Sequence, residues 1–208
     1  MEQKQMVVVA VAIVAVVACV AAAVILMNNN AKDPVGPDDP DFPDLNEKVI
    51  LVYFSATGVT EDVAGKMIDY IGCDTYAIEP TIPYTKEDLQ RDNPESRVNK
   101  EHSDPSFRPA IAGGKIDLSS YSTIILGFPI WYHEEPQIIK TFLDTYDLSG
   151  KNVAPFCTSW SAGIANAMIN IKNAEPDANV IKGGQFPTGF DEKEIYDWLD
   201  SSGFTKKN

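Results

Sequence analysis

Three runs of the chain, Val49–Phe54, Tyr121–Phe128 and Val153–Thr158, are apolar through their centres rather than at every second position. Successive side chains of a strand point to opposite faces, so such runs must be covered on both sides. Two-sided cover is the mark of parallel sheets with helical crossovers. The intervening sequence supplies the helices. Glu61–Ile71 carries Val63, Ala64, Met67, Ile68 and Ile71 at helical spacing, and Glu135–Tyr146 carries Ile138, Ile139, Phe142 and Leu143. Further helices are expected at Ala162–Asn173 and at Asp191–Leu199, the latter burying Ile195, Trp198 and Leu199. Thr75–Glu79, closed by Pro80, and Asn179–Lys182 read as two more strands. The repeated alternation predicts an α/β domain whose ligands sit past the carboxyl ends of the strands. Pro155 conflicts with its run, because it removes a ladder hydrogen bond.

The N-terminal part is of a different character. Met6–Met27 contains no charge, and as a helix its 22 residues would span about 33 Å, slightly more than a hydrocarbon core of roughly 30 Å. Residues 1–27 are therefore expected to be a transmembrane anchor or signal segment. Val16-Val17-Ala18-Cys19 offers a lipoprotein alternative with Cys19 as the lipidated residue, ranked below the anchor. Residues 28–46, with Pro34, Pro37, Pro40, Pro43 and five aspartates, read as an extended linker. The expected organisation places one domain at 47–208, tethered to the membrane on its extracytoplasmic side.

Charge excludes one class of partner. The whole chain carries a net charge of -13, of which -9 falls on residues 47–208, and no basic cluster interrupts it, so nucleic acid is not expected as a ligand. Cys19, Cys73 and Cys157 lack zinc-like spacing and His102 and His133 are the only histidines, so no metal site is expected. Cys73 and Cys157 read as separate buried thiols.

Function is concentrated in three loops that a parallel sheet would bring to one edge. Ser55-Ala56-Thr57-Gly58-Val59-Thr60 joins the first strand to the first helix. Free amides at a helix start, hydroxyls on Ser55, Thr57 and Thr60, and Gly58 for a tight turn suit an anion such as phosphate. Pro129-Ile130-Trp131-Tyr132-His133-Glu134-Glu135-Pro136 puts two large aromatic rings at a strand end, and Thr158-Ser159-Trp160-Ser161-Ala162-Gly163 combines hydroxyls, a third tryptophan and glycine. An anion cradle beside aromatic walls fits a phosphorylated planar heterocycle. Neither Ser55 nor Ser159 lies in a Gly-x-Ser-x-Gly elbow, which counts against a serine hydrolase.

On these loops the chain resembles the flavodoxin family, in the subgroup with a longer segment before the third strand, here 81–115. The resemblance covers nearly all of 47–200. It implies a doubly wound five-stranded parallel sheet of order 2-1-3-4-5 and non-covalently bound flavin mononucleotide (FMN). By that resemblance Ser55, Ala56, Thr57, Gly58, Val59 and Thr60 hold the phosphate. Pro129, Ile130, Trp131 and Tyr132 belong to the second cofactor-binding loop, with Trp131 or Tyr132 packing on the isoalloxazine, and the backbone of Thr158, Ser159, Trp160, Ser161, Ala162 and Gly163 lines its pyrimidine side. The chain departs from the family pattern in His133-Glu134-Glu135 and in Trp160 and Ala162. Trp160 would be a second stacking wall or would narrow the site.

The expected activity is electron transfer or an FMN-dependent reductase reaction, with a redox protein or a quinone as partner and His133 as candidate proton donor. Glu134 and Glu135 near the ring would lower its potential. The alternative is a flavodoxin-like interaction module that has lost flavin.

Overall fold

The computed structural model describes Pro37 and residues 42–207. The chain divides between Phe42 and Pro43, and the fold is that of the second unit. Its elements are β1 (Val49–Tyr53), α1 (Val59–Ile71), β2 (Asp74–Ala77), α2 (Arg97–Ser103), β3 (Thr123–Pro129) and α3 (Gln137–Thr145). They continue with β4 (Asn152–Thr158), α4 (Ala165–Ala174), β5 (Asn179–Val180), β6 (Gly184–Phe186) and α5 (Glu192–Ser201). All pairings are parallel and run β2-β1-β3-β4-β5, with β6 also on β4. The strand order implied by the family resemblance is the one observed.

Alternate strand residues serve the two faces. Ile50, Val52 and Phe54 join Ile124, Leu126 and Phe128 in a core closed by Ile138, Ile139 and Phe142 of α3 and Ala167 and Ile171 of α4. On the other face α1 and α5 pack together, burying Val63, Met67, Ile195 and Leu199 with Leu51, Ile125 and Phe156. Leu45 is fully buried, and Asn46 fixes the entering chain to the leaving one through Gly203 O at 3.0 Å and the Thr205 amide at 2.8 Å.

The last strand position differs from the single strand expected at Asn179–Lys182. It is split, with β5 opposite Asn152 and Val153 and β6 opposite Phe156 to Thr158. Side chains from two helices press on the backbone at the break. A Cβ on Gly183 would stand 2.8 Å from Met168 Sδ, and one on Gly184 would stand 2.8 Å from the Trp198 indole. The split also resolves the conflict at Pro155. Lys151 and Val153 turn their carbonyls to the split edge, accepting from Asn179 and Ile181 at 2.9 Å each, whereas Asn152 donates to Ser122 on the β3 side. By this alternation the nitrogen of Pro155 points at the gap between β5 and β6, where its missing N–H forfeits no ladder bond.

The segment 81–115 leaves and returns at one place. Thr81 donates to Ala110 O at 2.9 Å and Ala112 to Glu79 O at 2.7 Å, so its ends lie side by side. Within it, residues 85–90 form a set of turns. The Thr85 amide donates to Asp88 Oδ2 at 2.9 Å and the Asp88 amide to Thr85 Oγ1 at 3.1 Å, side-chain bonds that compete with helical pairing.

One expectation is corrected. Among the described residues no helix is long and apolar enough to cross a membrane. The longest, α1, has 13 residues and extends about 20 Å against the roughly 30 Å of a hydrocarbon core. The anchor expected at Met6–Met27, with Cys19 inside it, lies outside the described residues. The transmembrane or signal segment is therefore withdrawn from the fold class. With it go the membrane tether and membrane partner, the extracytoplasmic placement and the lipoprotein variant. Cys73 and Cys157 are both free thiols, and burial pushes Cys157 up to about 12.

Gly127 tests the sheet packing. It faces Phe156 across the β3–β4 pair, and a Cβ there would overlap the phenyl ring. Gly127→Ala is expected to lower unfolding free energy by about 1 to 3 kcal/mol in urea denaturation, with partial recovery in the Gly127→Ala/Phe156→Leu double variant.

Candidate anion and flavin site

The loop after β1 enters α1 through Gly58, whose φ of 89° is in the left-handed region open to glycine. Ser55 Oγ accepts the Gly58 amide at 3.1 Å. The amides of Ala56, Thr57, Val59 and Thr60 make no hydrogen bond among the described residues, nor does the Thr57 hydroxyl. Thr60 Oγ1 is committed elsewhere, 2.8 Å from Thr158 Oγ1 in a buried pair that fastens the first loop to the end of β4. Of the three hydroxyls, that of Thr57 alone makes no hydrogen bond among the described residues, while Ser55 Oγ, which accepts from Gly58, still has its own O–H to donate.

The second loop is a two-residue hairpin. Trp131 N donates to Glu134 O at 2.9 Å and Glu134 N to Trp131 O at 3.0 Å, and the central Tyr132 and His133 have φ of 51° and 69°. Such a turn needs positive φ at both positions and ordinarily uses Asn and Gly. Tyr132 offsets its strain through the 81–115 segment. Its hydroxyl donates to Asn99 Oδ1 at 2.6 Å, its ring stacks on His102 at 4.2 Å, and the Arg91 guanidinium lies 5.2 Å from its centroid. Burial raises its phenol above the usual range, opposed by the Arg91 charge. His133 is exposed and makes no hydrogen bond or ion pair among the described residues.

Trp131 turns the other way. It meets Phe54 at 5.6 Å and Tyr84 at 5.2 Å, both nearly edge to face. Tyr84 in turn donates to Glu101 Oε2 at 2.7 Å, and Arg97 Nε holds Glu101 Oε1 at 2.6 Å. Burial and the Glu101 carboxylate raise the Tyr84 phenol strongly. Glu134 is paired with Lys140 at 3.1 Å and His102 at 3.6 Å, while Asn170 donates to both Glu134 and Glu135. Burial raises the Glu135 carboxyl, opposed by the Asn170 hydrogen bond and the Lys140 charge.

The first two loops share a cavity of about 190 Å³, with Ala56, Thr57 and Thr60 on one side and Pro129 and Trp131 on another. Leu89, Arg91 and Val98 of the 81–115 segment form a third wall, and Arg91 Nη2 donates to Ile130 O at 3.2 Å. The sequence reading missed this wall. A lone arginine in a polar stretch carries no local signal, and only the return of the segment over the strand ends brings it in. Ser55, Gly58, Val59 and Ile130 adjoin the cavity without lining it. Ser159, Trp160, Ser161, Ala162 and Gly163 do not line it either. Trp160 is 81% exposed, and Ser159 Oγ accepts the Ala162 amide at 3.1 Å.

A doubly wound parallel sheet thus carries helix-start amides without hydrogen bonds among the described residues, an unbonded hydroxyl and an aromatic wall at its carboxyl edge. Residues 48–202 match the flavodoxin family model, and the chain belongs to the flavodoxin family. A candidate flavoprotein from Bacteroides eggerthii is 41% identical, with a TM-score of 0.69, over 75% of this chain and 98% of that one. Another from Bacteroides uniformis is 36% identical, with a TM-score of 0.71, over 74% and 98%. A Lactobacillus acidophilus flavoprotein solved in complex with FMN shares the fold at 21% identity and a TM-score of 0.56, over 73% and 98%. No protein of curated function matches the chain.

The two left-handed residues of the hairpin should behave oppositely. His133→Gly removes strain without removing a contact and is expected to raise unfolding free energy by about 0.5 to 1 kcal/mol. Tyr132→Gly removes strain together with the Asn99, His102 and Arg91 contacts and is expected to lower it by about 1 kcal/mol or more, read in the same urea titration.

Proposed function

We propose that this domain binds FMN and carries electrons through it. The observation that supports the reading most is the shared cavity, lined by Trp131 and by Ala56, Thr57 and Thr60, whose amides make no hydrogen bond among the described residues. Those donors are neutral, directional and set at a helix N-terminus, which suits a phosphate monoester. At about 190 Å³ the cavity is smaller than the roughly 300 Å³ at which pockets begin to enclose a whole small molecule. It would hold the phosphate and polyol tail, and Trp131 is the lining residue that would meet the ring.

Bound FMN supplies the redox chemistry, in one- or two-electron steps. The chain's own residues bind and orient. Thr57 and the amides of Ala56, Thr57, Val59 and Thr60 would hold the phosphate. The Thr60–Thr158 pair fixes the distance between loops, and Phe54 and Tyr84 hold Trp131 edge-on. His133, exposed in the hairpin beside Trp131, is the candidate group for exchanging a proton with solvent. Glu134 and Glu135 act less on the ring than their adjacency to Trp131 suggested, because Lys140 and Asn170 engage both carboxylates.

The purified chain is expected to be yellow, with an absorbance maximum at about 450 nm and about one FMN per chain. A colourless protein that leaves added FMN unbound would instead favour the flavin-free interaction module. Thr57→Val is expected to weaken FMN binding by about 1.5 to 3 kcal/mol, the loss of one hydrogen bond to a charged acceptor, measured by quenching of flavin fluorescence.

A further inference from the structure

Every other side chain lining the cavity is neutral, and Arg91 is the single ionisable one. It stands on a domain whose residues 47–208 carry a net charge of -9, a field that opposes the approach of a phosphate. We propose that Arg91 is the specificity residue of this site, the fixed positive charge that selects a phosphorylated flavin over the same flavin without phosphate. The inference rests on the FMN reading above.

Arg91 is placed for this by contacts outside the cavity floor. One N–H of its guanidinium, on Nη2, reaches Ile130 O at 3.2 Å, and the group lies 5.2 Å from the Tyr132 ring centroid. These contacts hold the side chain against the second loop while it lines the same cavity as Thr57 and Thr60. A guanidinium has five N–H groups in a fixed fork, so four remain to meet phosphate oxygens. The neutral donors at the helix N-terminus already favour the phosphate, but they also donate to the oxygens of an unphosphorylated polyol, and the Arg91 charge widens the difference. A full charge separates the two ligands, because only one of them is an anion at neutral pH.

The segment that carries Arg91 is itself secured. Asn99 Nδ2 donates to Arg91 O at 3.0 Å, and the Asn99 side chain also accepts the Tyr132 hydroxyl. Ligand choice is thereby assigned to the 81–115 segment and ligand attachment to the loop after β1.

The test compares FMN with riboflavin on the full chain, for the unmodified protein, Arg91→Gln and Arg91→Lys. Arg91→Gln is expected to weaken FMN about 10- to 100-fold, the loss of a charge-assisted hydrogen bond, and to leave riboflavin within about threefold. Arg91→Lys keeps the charge without the fork and should fall between. The FMN affinity of the unmodified protein should drop with added salt more steeply than that of Arg91→Gln. Equal weakening of FMN and riboflavin would overturn the proposal in favour of Arg91 merely positioning Ile130 and Tyr132, and so would an unchanged FMN affinity. If the unmodified protein binds neither flavin, the FMN reading itself falls and takes this inference with it. Circular dichroism identifies a misfolded Arg91→Gln, in which case Arg91→Lys decides: a larger loss for FMN than for riboflavin supports the proposal, and an equal loss overturns it.

Discussion

A carboxylate only 2% exposed, that of Glu101, organises the wall that the parallel sheet alone could not provide. It receives the Arg97 guanidinium on one oxygen and the Tyr84 hydroxyl on the other, and its backbone carbonyl accepts Gln137 Nε2 at 3.3 Å. Arg97 also lies 3.8 Å from the Tyr84 ring centroid. Burying a charge is costly unless it is paired and hydrogen-bonded, so these contacts form as a set or not at all. Through Tyr84 the set reaches Trp131, and through α2 it places Asn99 and His102 against Tyr132. The sheet supplies the cavity's floor, while this buried cluster supplies the order in its far wall.

What the sequence made legible follows period and chain adjacency. The runs around Ile50, Ile124 and Val153 announced two-sided strands, and Val63, Ala64 and Met67 announced the helix that covers them, because both signals are local. The first loop was readable for the same reason, since strand end, hydroxyls, glycine and helix start are consecutive. Arg91, Asn99 and Glu101 were not, because their roles depend on a 35-residue excursion folding back over β3. Nor was the use of the hydroxyls: Ser55, Thr57 and Thr60 look alike in sequence, yet Ser55 caps Gly58 and Thr60 reaches Thr158, 98 positions away. Tyr132 was read with Trp131 as an alternative partner for the isoalloxazine, and its contacts with His102 and Arg91 had no local signal.

Electrostatics divides the site unevenly. Glu134 and Glu135 sit two and three residues past Tyr132, but α3 and α4 answer them with Lys140 and Asn170. The acidic character of the domain is therefore muted next to the hairpin, and Arg91 stands on the other side of it. A protein with net charge -13 can in this way offer an anion a locally favourable path without becoming basic anywhere else.

The split between β5 and β6 has a consequence for how the molecule behaves among its own copies. A sheet edge with a long row of open N–H and C=O groups is a template on which another chain can add a strand. Here that edge offers two residues, a break, and then three. A foreign strand would lose register before it gained enough pairing to stay. The glycines that yield to Trp198 and Met168, and the proline that faces the resulting gap, thus leave the sheet with a border along which it cannot easily be extended.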